Sequence, residues 1–263
     1  MSAHAGRTYA VTGATSGIGA ATTAYLRAAD AKVIACDLRD ADVSSDLASE
    51  EGRRALVAGV TELCGGRLDG IVANAGGGPH HTMLQLNFFG ATATLEGLRP
   101  LLAGSAAPRA VAVSSMSSLG PFDDGFVEAC LAGDEAAVAA SARDAIAAGK
   151  PPLVLYGSAK CALNRWVRAA ACEARWAGAG IALNVVAPGM IDTPAAVQVL
   201  SNPTLREQVG QHIPLKSSYP GRPDHMASLL AWCVSEDNSL LVGQILFADA
   251  GFEAQTRLAR ERR

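Results

Sequence analysis

Tyr156 and Lys160 stand four residues apart in the string YGSAK. On a helix that spacing puts both side chains on one face. A phenol titrates near 10, so bringing it to about 7 takes roughly 4 kcal/mol. An ammonium about 4 Å away, at an effective dielectric of 20, supplies on the order of 4 kcal/mol. The pair therefore reads as a tyrosine tuned to give and take a proton near neutral pH. A bound oxidised pyridine ring would add a second positive charge. Taken singly, Tyr156 is as well explained as the first buried residue of its helix.

A second chemical feature lies near the amino end. VTGATSGIGAA runs from a short β-branched stretch into a helical one, with glycines at Gly13, Gly17 and Gly19. Glycines at such a turn let backbone approach a pyrophosphate, and the helix that follows offers unpaired N–H groups and a positive dipole end. About 20 residues on, the next apolar run ends at Asp37, whose carboxylate can accept both ribose hydroxyls of adenosine and repel a 2′-phosphate. Ser16 offers such a phosphate no cation, and Arg39 is the one opposing signal. These residues favour NAD over NADP.

Short apolar runs must position these groups, and they alternate with helical stretches along the chain. RTYAVT, AKVIACD, LDGIVANAG, RAVAVSS, IALNVVAPG and QILFAD read as strands. GIGAATTAYLRAA, LQLNFFGATATLEGLRPLL, SAKCALNRWVRAAACEARW and HMASLLAWCV read as helices. Strands apolar throughout are buried on both faces, which predicts an α/β fold with a doubly wound parallel sheet, a Rossmann fold. At 263 residues and 49% hydrophobic, the chain suits one domain over 1–263. Two stretches interrupt the rhythm. Residues 121–152 read as a helical insertion, with Asp134 as a cap and Gly149 as a stop. Residues 193–224, long and broken by proline, read as a substrate lid.

The chain's net charge of −3 offers no footprint for nucleic acid. No apolar run approaches a membrane span, and RLARERR at the end reads as a solvated tail. Six scattered cysteines without a C-x-x-C pair point to free thiols in a reducing, cytoplasmic compartment. His80 and His81 lack companions at ligand spacing, so no metal is expected.

TGATSGIG, NAG at 74–76, Asn87, the serines at 114 and 115, YGSAK and PGMIDT at 188–193 occur in that order. Together they resemble the short-chain dehydrogenase/reductase family over nearly the whole chain. The resemblance implies an NAD-dependent enzyme in which Tyr156 transfers the proton and Lys160 binds the nicotinamide ribose and tunes the phenol. Ser115 then orients the substrate oxygen, and Asn87 supports a water-linked proton path. Thr15, Ser16, Gly17, Ile18 and Gly19 belong to the phosphate loop, and Asn74, Ala75 and Gly76 line the cofactor cleft. Pro188, Gly189, Ile191 and Thr193 meet the nicotinamide end.

After Asp37 the interval is too short for the usual helix, so DVSS is expected as the next strand. Asp46 and Leu47 then meet the adenine, or Asp46 merely caps the following helix. The truncated helix and the insertion resemble the bacterial hydroxysteroid dehydrogenase/carbonyl reductase branch, with coniferyl-type aromatic alcohol dehydrogenases nearby. The substrate implied is a hydrophobic alcohol or ketone: a hydroxysteroid, an aryl-alkyl carbinol or an amino alcohol. Val197, Leu200, Leu205, Ile213, Pro214 and Tyr219 would line the lid side, and Met116, Leu119, Phe122, Met190 and Ile191 the far wall. A homo-oligomer is implied, dimer or tetramer, with the insertion blocking the common helix pairing. The reading from another class is a non-catalytic NAD-binding redox sensor; both Tyr156 and Lys160 speak against it.

Overall fold

The computed structural model describes residues 2–261. Seven parallel strands make one sheet: β1 (Thr8–Thr12), β2 (Lys32–Asp37), β3 (Val43–Ser44), β4 (Gly70–Ala73), β5 (Arg109–Val113), β6 (Ala182–Pro188) and β7 (Ile245–Ala248). Their order is β3-β2-β1-β4-β5-β6-β7. The chain thus winds outward from β1 in one direction, then from β4 in the other. The crevice between β1 and β4 is the switch point where such sheets bind ligands.

The helices are α1 (Gly17–Ala28), α2 (Glu50–Cys64), α3 (Ala91–Leu98), α4 (Asp124–Ala132), α5 (Glu135–Ala147), α6 (Pro152–Ala170), α7 (Val197–Leu200), α8 (Pro203–Gln211), α9 (Pro223–Val234) and α10 (Phe252–Glu261). Alternate strand residues feed two cores, because successive side chains point to opposite faces. Ala10, Ile71, Ala110 and Ala112 join Leu56, Leu95 and Leu163 on one face. Tyr9, Val11, Val72, Val111 and Val113 join Leu26 and Leu230 on the other. This is why the strand sequences are apolar throughout.

The interval after β2 holds no helix, and β3 is only two residues long. Ser49, not Asp46, caps α2 by accepting from Gly52 N at 3.0 Å. Asp46 instead accepts from Ala48 N at 2.9 Å and stays exposed.

The insertion is a helical hairpin. Asp134 caps α5 through Ala137 N, and Gly149 follows its end at φ +82°. Phe126, Val127, Cys130, Val138 and Ala142 pack into the first core, so the hairpin is part of the body of the protein. Arg53, 7% exposed, forks onto Glu135 from α2 and ties the hairpin to that helix.

Two expectations need correction. The tyrosine-bearing helix begins at Pro152, six residues before SAKCAL, because a proline at the first helical position has φ already set and needs no N–H partner. The terminal stretch is not simply a tail: residues 257–261 of RLARERR complete α10. Arg262 and Arg263 lie outside the described residues. Among the described residues no helix is long and apolar enough to cross a membrane. All six cysteines are free.

Candidate active site

The predicted site residues collect at the carboxyl ends of the strands. β1 leads into the glycine loop, and β2 ends in Asp37. β4 is followed by Asn74 to Gly76, β5 by Ser114 and Ser115, and β6 ends at Pro188 before Gly189.

The glycine loop is held from below by a residue the sequence reading passed over. Thr12 Oγ1 accepts from both Asn74 N and Ala75 N at 3.0 Å. Asn74 Nδ2 donates back to Thr12 O at 3.0 Å and to Gly13 O at 3.2 Å. A Cβ on Gly13, whose φ is +66°, would lie 2.8 Å from Asn74 Nδ2; one on Gly19 would lie 2.0 Å from Gly13 O. Only glycine permits this approach. Ser16 is the N-cap of α1, yet its side chain makes no cap hydrogen bond. The first N–H groups of α1 therefore remain free beside Gly17, as a phosphate site requires.

Asp37 is fixed beside this loop. Its Oδ2 accepts from Thr15 N at 2.9 Å and Thr15 Oγ1 at 2.7 Å, and its Oδ1 accepts from Leu38 N at 2.7 Å. The carboxylate stays partly exposed. The free helix N-terminus, the glycine turn and this anchored carboxylate together fit the adenosine and phosphate portions of a dinucleotide.

At the other end of the crevice, α6 carries Tyr156 and Lys160 on one face, with Lys160 Nζ 5.6 Å from the centre of the Tyr156 ring. Lys160 is 2% exposed, and its Nζ donates to Val113 O at 2.9 Å. Burial alone lowers its pKa to about 7. Burial raises the Tyr156 hydroxyl above its ordinary value, and the hydrogen bond with Ser115 works the other way. This reverses the simple electrostatic expectation. Both groups are desolvated, so each favours its neutral form, and an ammonium that is itself costly to charge cannot by itself make a phenolate cheap.

Ser115 caps the 3₁₀ turn Met116–Leu119, accepting from Ser117 N at 3.1 Å. That turn lies directly on α6. A Cβ on Gly157 would meet Pro121 O at 2.7 Å and Ser117 O at 2.9 Å. Ser158 Oγ accepts from Asp123 N at 2.9 Å where the insertion begins. The Gly-Ser between Tyr156 and Lys160 thus lets the Ser115 segment lie against the helix. Gly157→Ala should push that segment away and lower kcat by about tenfold, with a smaller change in cofactor affinity. Steady-state kinetics beside NADH titration checks this.

Asn87 is fully buried within the π-helical turn Gln85–Gly90. Its Nδ2 donates to Gly77 O and Met83 O at 2.9 and 2.8 Å, and its Oδ1 accepts from Gly77 N at 3.1 Å. A Cβ on Gly76 would lie 2.8 Å from Asn87 Oδ1 and 3.4 Å from Lys160 Nζ. Asn87, Gly76 and Lys160 therefore meet at one point. π-turns of this kind occur often at functional sites.

The segment from 193 to 224 leaves and returns at one place. Gly221 N donates to Met190 O at 2.9 Å and Asp192 N to Gly221 O at 2.8 Å. Thr193 stands over the phosphate loop, its Cγ2 3.1 Å from where a Gly17 Cβ would be. Gly189 lies against Asp249, which leaves no room for a side chain. Ile191, expected on the cleft wall, is 6% exposed and packs into the second core with Met226. Ile213 and Tyr219 face a cavity of about 340 Å³ beside Met190 and the end of β7, which neither Ser115 nor Tyr156 lines. His80 and His81 are exposed on a 3₁₀ turn.

A parallel sheet with a glycine loop at its switch point and a Ser-Tyr-Lys cluster across the crevice has the architecture of a dinucleotide-dependent oxidoreductase. A family model described as enoyl-(acyl carrier protein) reductase matches residues 13–253. The chain belongs to the short-chain dehydrogenase/reductase family. It is 35% identical over 253 residues to the 3-alpha-hydroxysteroid dehydrogenase/carbonyl reductase of Comamonas testosteroni, covering 94% of this chain and 96% of that one. Among solved structures, the 3-alpha-hydroxysteroid dehydrogenase of Pseudomonas sp. B-0831 complexed with NADH superposes with a TM-score of 0.86. It is 34% identical and covers 95% of this chain and 98% of its own. The Pseudomonas aeruginosa RhlG/NADP complex follows at TM-score 0.74 and 26% identity, covering 94% and 96%.

Proposed function

We propose that the protein is an NAD(H)-dependent alcohol dehydrogenase/carbonyl reductase that interconverts a hydrophobic secondary alcohol and its ketone. A hydroxysteroid is the leading substrate class, ahead of aryl-alkyl carbinols and amino alcohols. The observation carrying this reading is the pair of desolvated groups, Tyr156 and Lys160, on one face of α6 beside Ser115. The relatives with the same description act in the same sense, one of them crystallised with NADH.

When bound, the nicotinamide ring supplies the hydride acceptor or donor. The chain's own residues supply the rest. Ser115 holds the substrate oxygen, and Tyr156 takes the carbinol proton or returns it. Lys160 anchors the ribose and moderates the phenol. Asn87 fixes the Gly77 backbone, which would line that end of the cofactor site, and so would support the proton path. Thr193 closes over the phosphate loop. Asp46 and Leu47 meet the adenine, and the 193–224 segment covers the substrate.

Asp37 carries the cofactor preference. Three donors fix its carboxylate at the end of β2, where it would lie against a 2′-phosphate, and like charges juxtaposed in this way cost several kcal/mol. Wild type should therefore prefer NAD over NADP in kcat/KM, and Asp37→Ser should shift the ratio by about 100-fold toward NADP. An unmodified preference for NADP would overturn this part of the reading. A screen of steroid, aryl-alcohol and amino-alcohol panels with NAD at alkaline pH tests the substrate class, and silence across all three would contradict it.

The insertion supports a dimer. α4 lies on α6, with α5 packed behind it on α4 and on the turns His80–Thr82 and Gln85–Gly90, and the hairpin would cover a face on which relatives can pair helices. Light scattering at a tetramer's mass would contradict that assignment.

A further inference from the structure

We propose that Asp123 and Lys150 are a positioning pair for the reaction: their ion pair closes the neck of the insertion and so holds the Ser115 turn in register with Tyr156. The proposal rests on the preceding reading of Ser115 and Tyr156 as the groups that meet the substrate oxygen. It gives two residues outside the site a part in that step.

The neck is where the two segments that carry the site residues come back together. Asp123 lies eight residues beyond Ser115, and Lys150 lies six before Tyr156. Between them run α4 and α5. Asp123 Oδ2 accepts from Lys150 Nζ across a sequence separation of 27 residues. The same ammonium stands 5.3 Å from the centre of the Phe126 ring, whose side chain is buried in the first core. A cation over an aromatic face is itself attracted. Lys150 is thus held from two sides, by a carboxylate and by a ring fixed in the core. The bond from Lys150 is also what chiefly holds the Asp123 carboxyl below its ordinary value. Among the described residues neither partner has another ion pair.

Asp123 passes this restraint to α6. Its main-chain N–H donates to Ser158 Oγ at 2.9 Å, and that buried hydroxyl donates in turn to Val154 O at 2.8 Å. Ser158 stands between Tyr156 and Lys160. Just before Asp123, Phe122 packs on the same core as Tyr156. Pro121 O lies 2.7 Å from where a Gly157 Cβ would be. Residues 121–123 therefore run along α6 beside Tyr156, and they continue from the 3₁₀ turn that Ser115 caps. On the other side of the neck, Lys150 is followed at once by Pro151 and Pro152. Their rings leave little play before the first turn of α6. One ion pair thus closes the path from Ser115 to Tyr156.

A second tie between the same helices provides a control. Arg165 of α6 donates to Glu128 Oε1 at 2.9 Å and to Asp124 Oδ1 at 3.2 Å, both on α4. Those carboxylates are 68% and 76% exposed. Exposed pairs of this kind contribute little, and neither bond touches residues 121–123.

The test measures kcat, KM and NADH affinity of the full chain on the best substrate of the panel, with kcat expressed per NADH-binding site. Asp123→Asn is the informative variant. Asparagine still caps α4 and keeps the main-chain bond to Ser158, so only the charge facing Lys150 is lost. The Lys150 side chain, 32% exposed, is then free to turn out to water. The variant should lower kcat by about tenfold, the scale of a modest misalignment of reacting groups, and leave NADH affinity within about twofold of wild type. Lys150→Met should do the same, and the double variant should lose no more than either single one. Lys150→Arg should keep most of the rate, and Arg165→Gln all of it. A merely structural role would lower the fraction of protein that binds NADH and leave kcat per site intact. A wild-type kcat per site in Asp123→Asn, losses that add in the double variant, or an equal loss in Arg165→Gln overturns the proposal and leaves the reading of Ser115 and Tyr156 standing. Turnover retained in Tyr156→Phe, or none by wild type across the panel, overturns that reading and the proposal with it.

Discussion

Tyr156→Phe should lower kcat by about a thousandfold, the middle of the range for losing a general acid–base group. NADH affinity should remain close to that of wild type. The phenyl ring keeps its packing, because Tyr156 lies against the main core. The change removes only the hydroxyl and its hydrogen bond with Ser115. At about 1.4 kcal/mol per decade, the loss corresponds to roughly 4 kcal/mol of transition-state stabilisation. Substantial residual turnover on the substrate found by the panel would remove Tyr156 from its assigned role. A parallel loss of NADH binding would instead make the residue a cofactor support.

Lys160→Met should do something less obvious: destroy activity and stabilise the cofactor-free protein near neutral pH. The Lys160 amine has its pKa lowered from 10.5 to about 7 by burial. At pH 7 and below, the folded state must carry an ammonium it disfavours. Between pH 7 and 10.5 the unfolded chain holds a proton that the folded chain releases, so unfolding takes up a proton and stability rises with pH. Methionine has the length to fill the same space and does not titrate. It gives up the hydrogen bond to Val113 O, worth about 1 kcal/mol. Set against a burial penalty of about 4 kcal/mol at pH 7, at about 1.4 kcal/mol per unit of the lowering, the variant should be more stable by about 3 kcal/mol at pH 7. That advantage should shrink steadily toward pH 10.5. Urea melts of both proteins across this range measure it. A pH-independent difference would mean the amine is not desolvated as the structure has it. The stability sacrificed at Lys160 is the usual sign of a residue kept for chemistry.

The strands were legible because burial on both faces demands continuous apolar runs, and a seven-stranded parallel sheet resulted. The insertion's caps were legible for a similar reason: Asp134 and Gly149 have side-chain and φ requirements that few residues meet. α10 was not legible. Its last residues, RLARERR, are mostly charged and read as a solvated tail, and FEAQT before them offers only Phe252 and Ala254 to mark a helical period. Ile191 was assigned to the cleft because it follows the PG turn; its side chain packs beside Met226 in the second core and also lines the cavity beside Met190. Thr12 was invisible as a site residue because its two acceptor bonds serve another loop, 62 and 63 residues away in sequence.

The most instructive difference concerns the tyrosine. Spacing announced that Tyr156 and Lys160 share a face. Spacing carried no information about desolvation, which raises the one and lowers the other. Burial favours the neutral form of both members, and among the described residues Lys160 faces no carboxylate that would hold its charge. On the proposed reading, the proton chemistry would draw on charge supplied by a nicotinamide bound near the point where Gly76 and Asn87 meet Lys160.

That dependence is open to direct measurement by ultraviolet difference titration of phenolate. The protein has four tyrosines, and burial raises Tyr9 and Tyr219 as it does Tyr156. Without cofactor, no buried tyrosine should ionise below pH 9. With saturating NAD, one phenolate should appear by about pH 8, the range a working base requires, and it should be missing in Tyr156→Phe. A holoenzyme whose titration matches that of the cofactor-free protein, or whose early phenolate survives in Tyr156→Phe, would contradict the assignment of Tyr156 as the proton-transfer group.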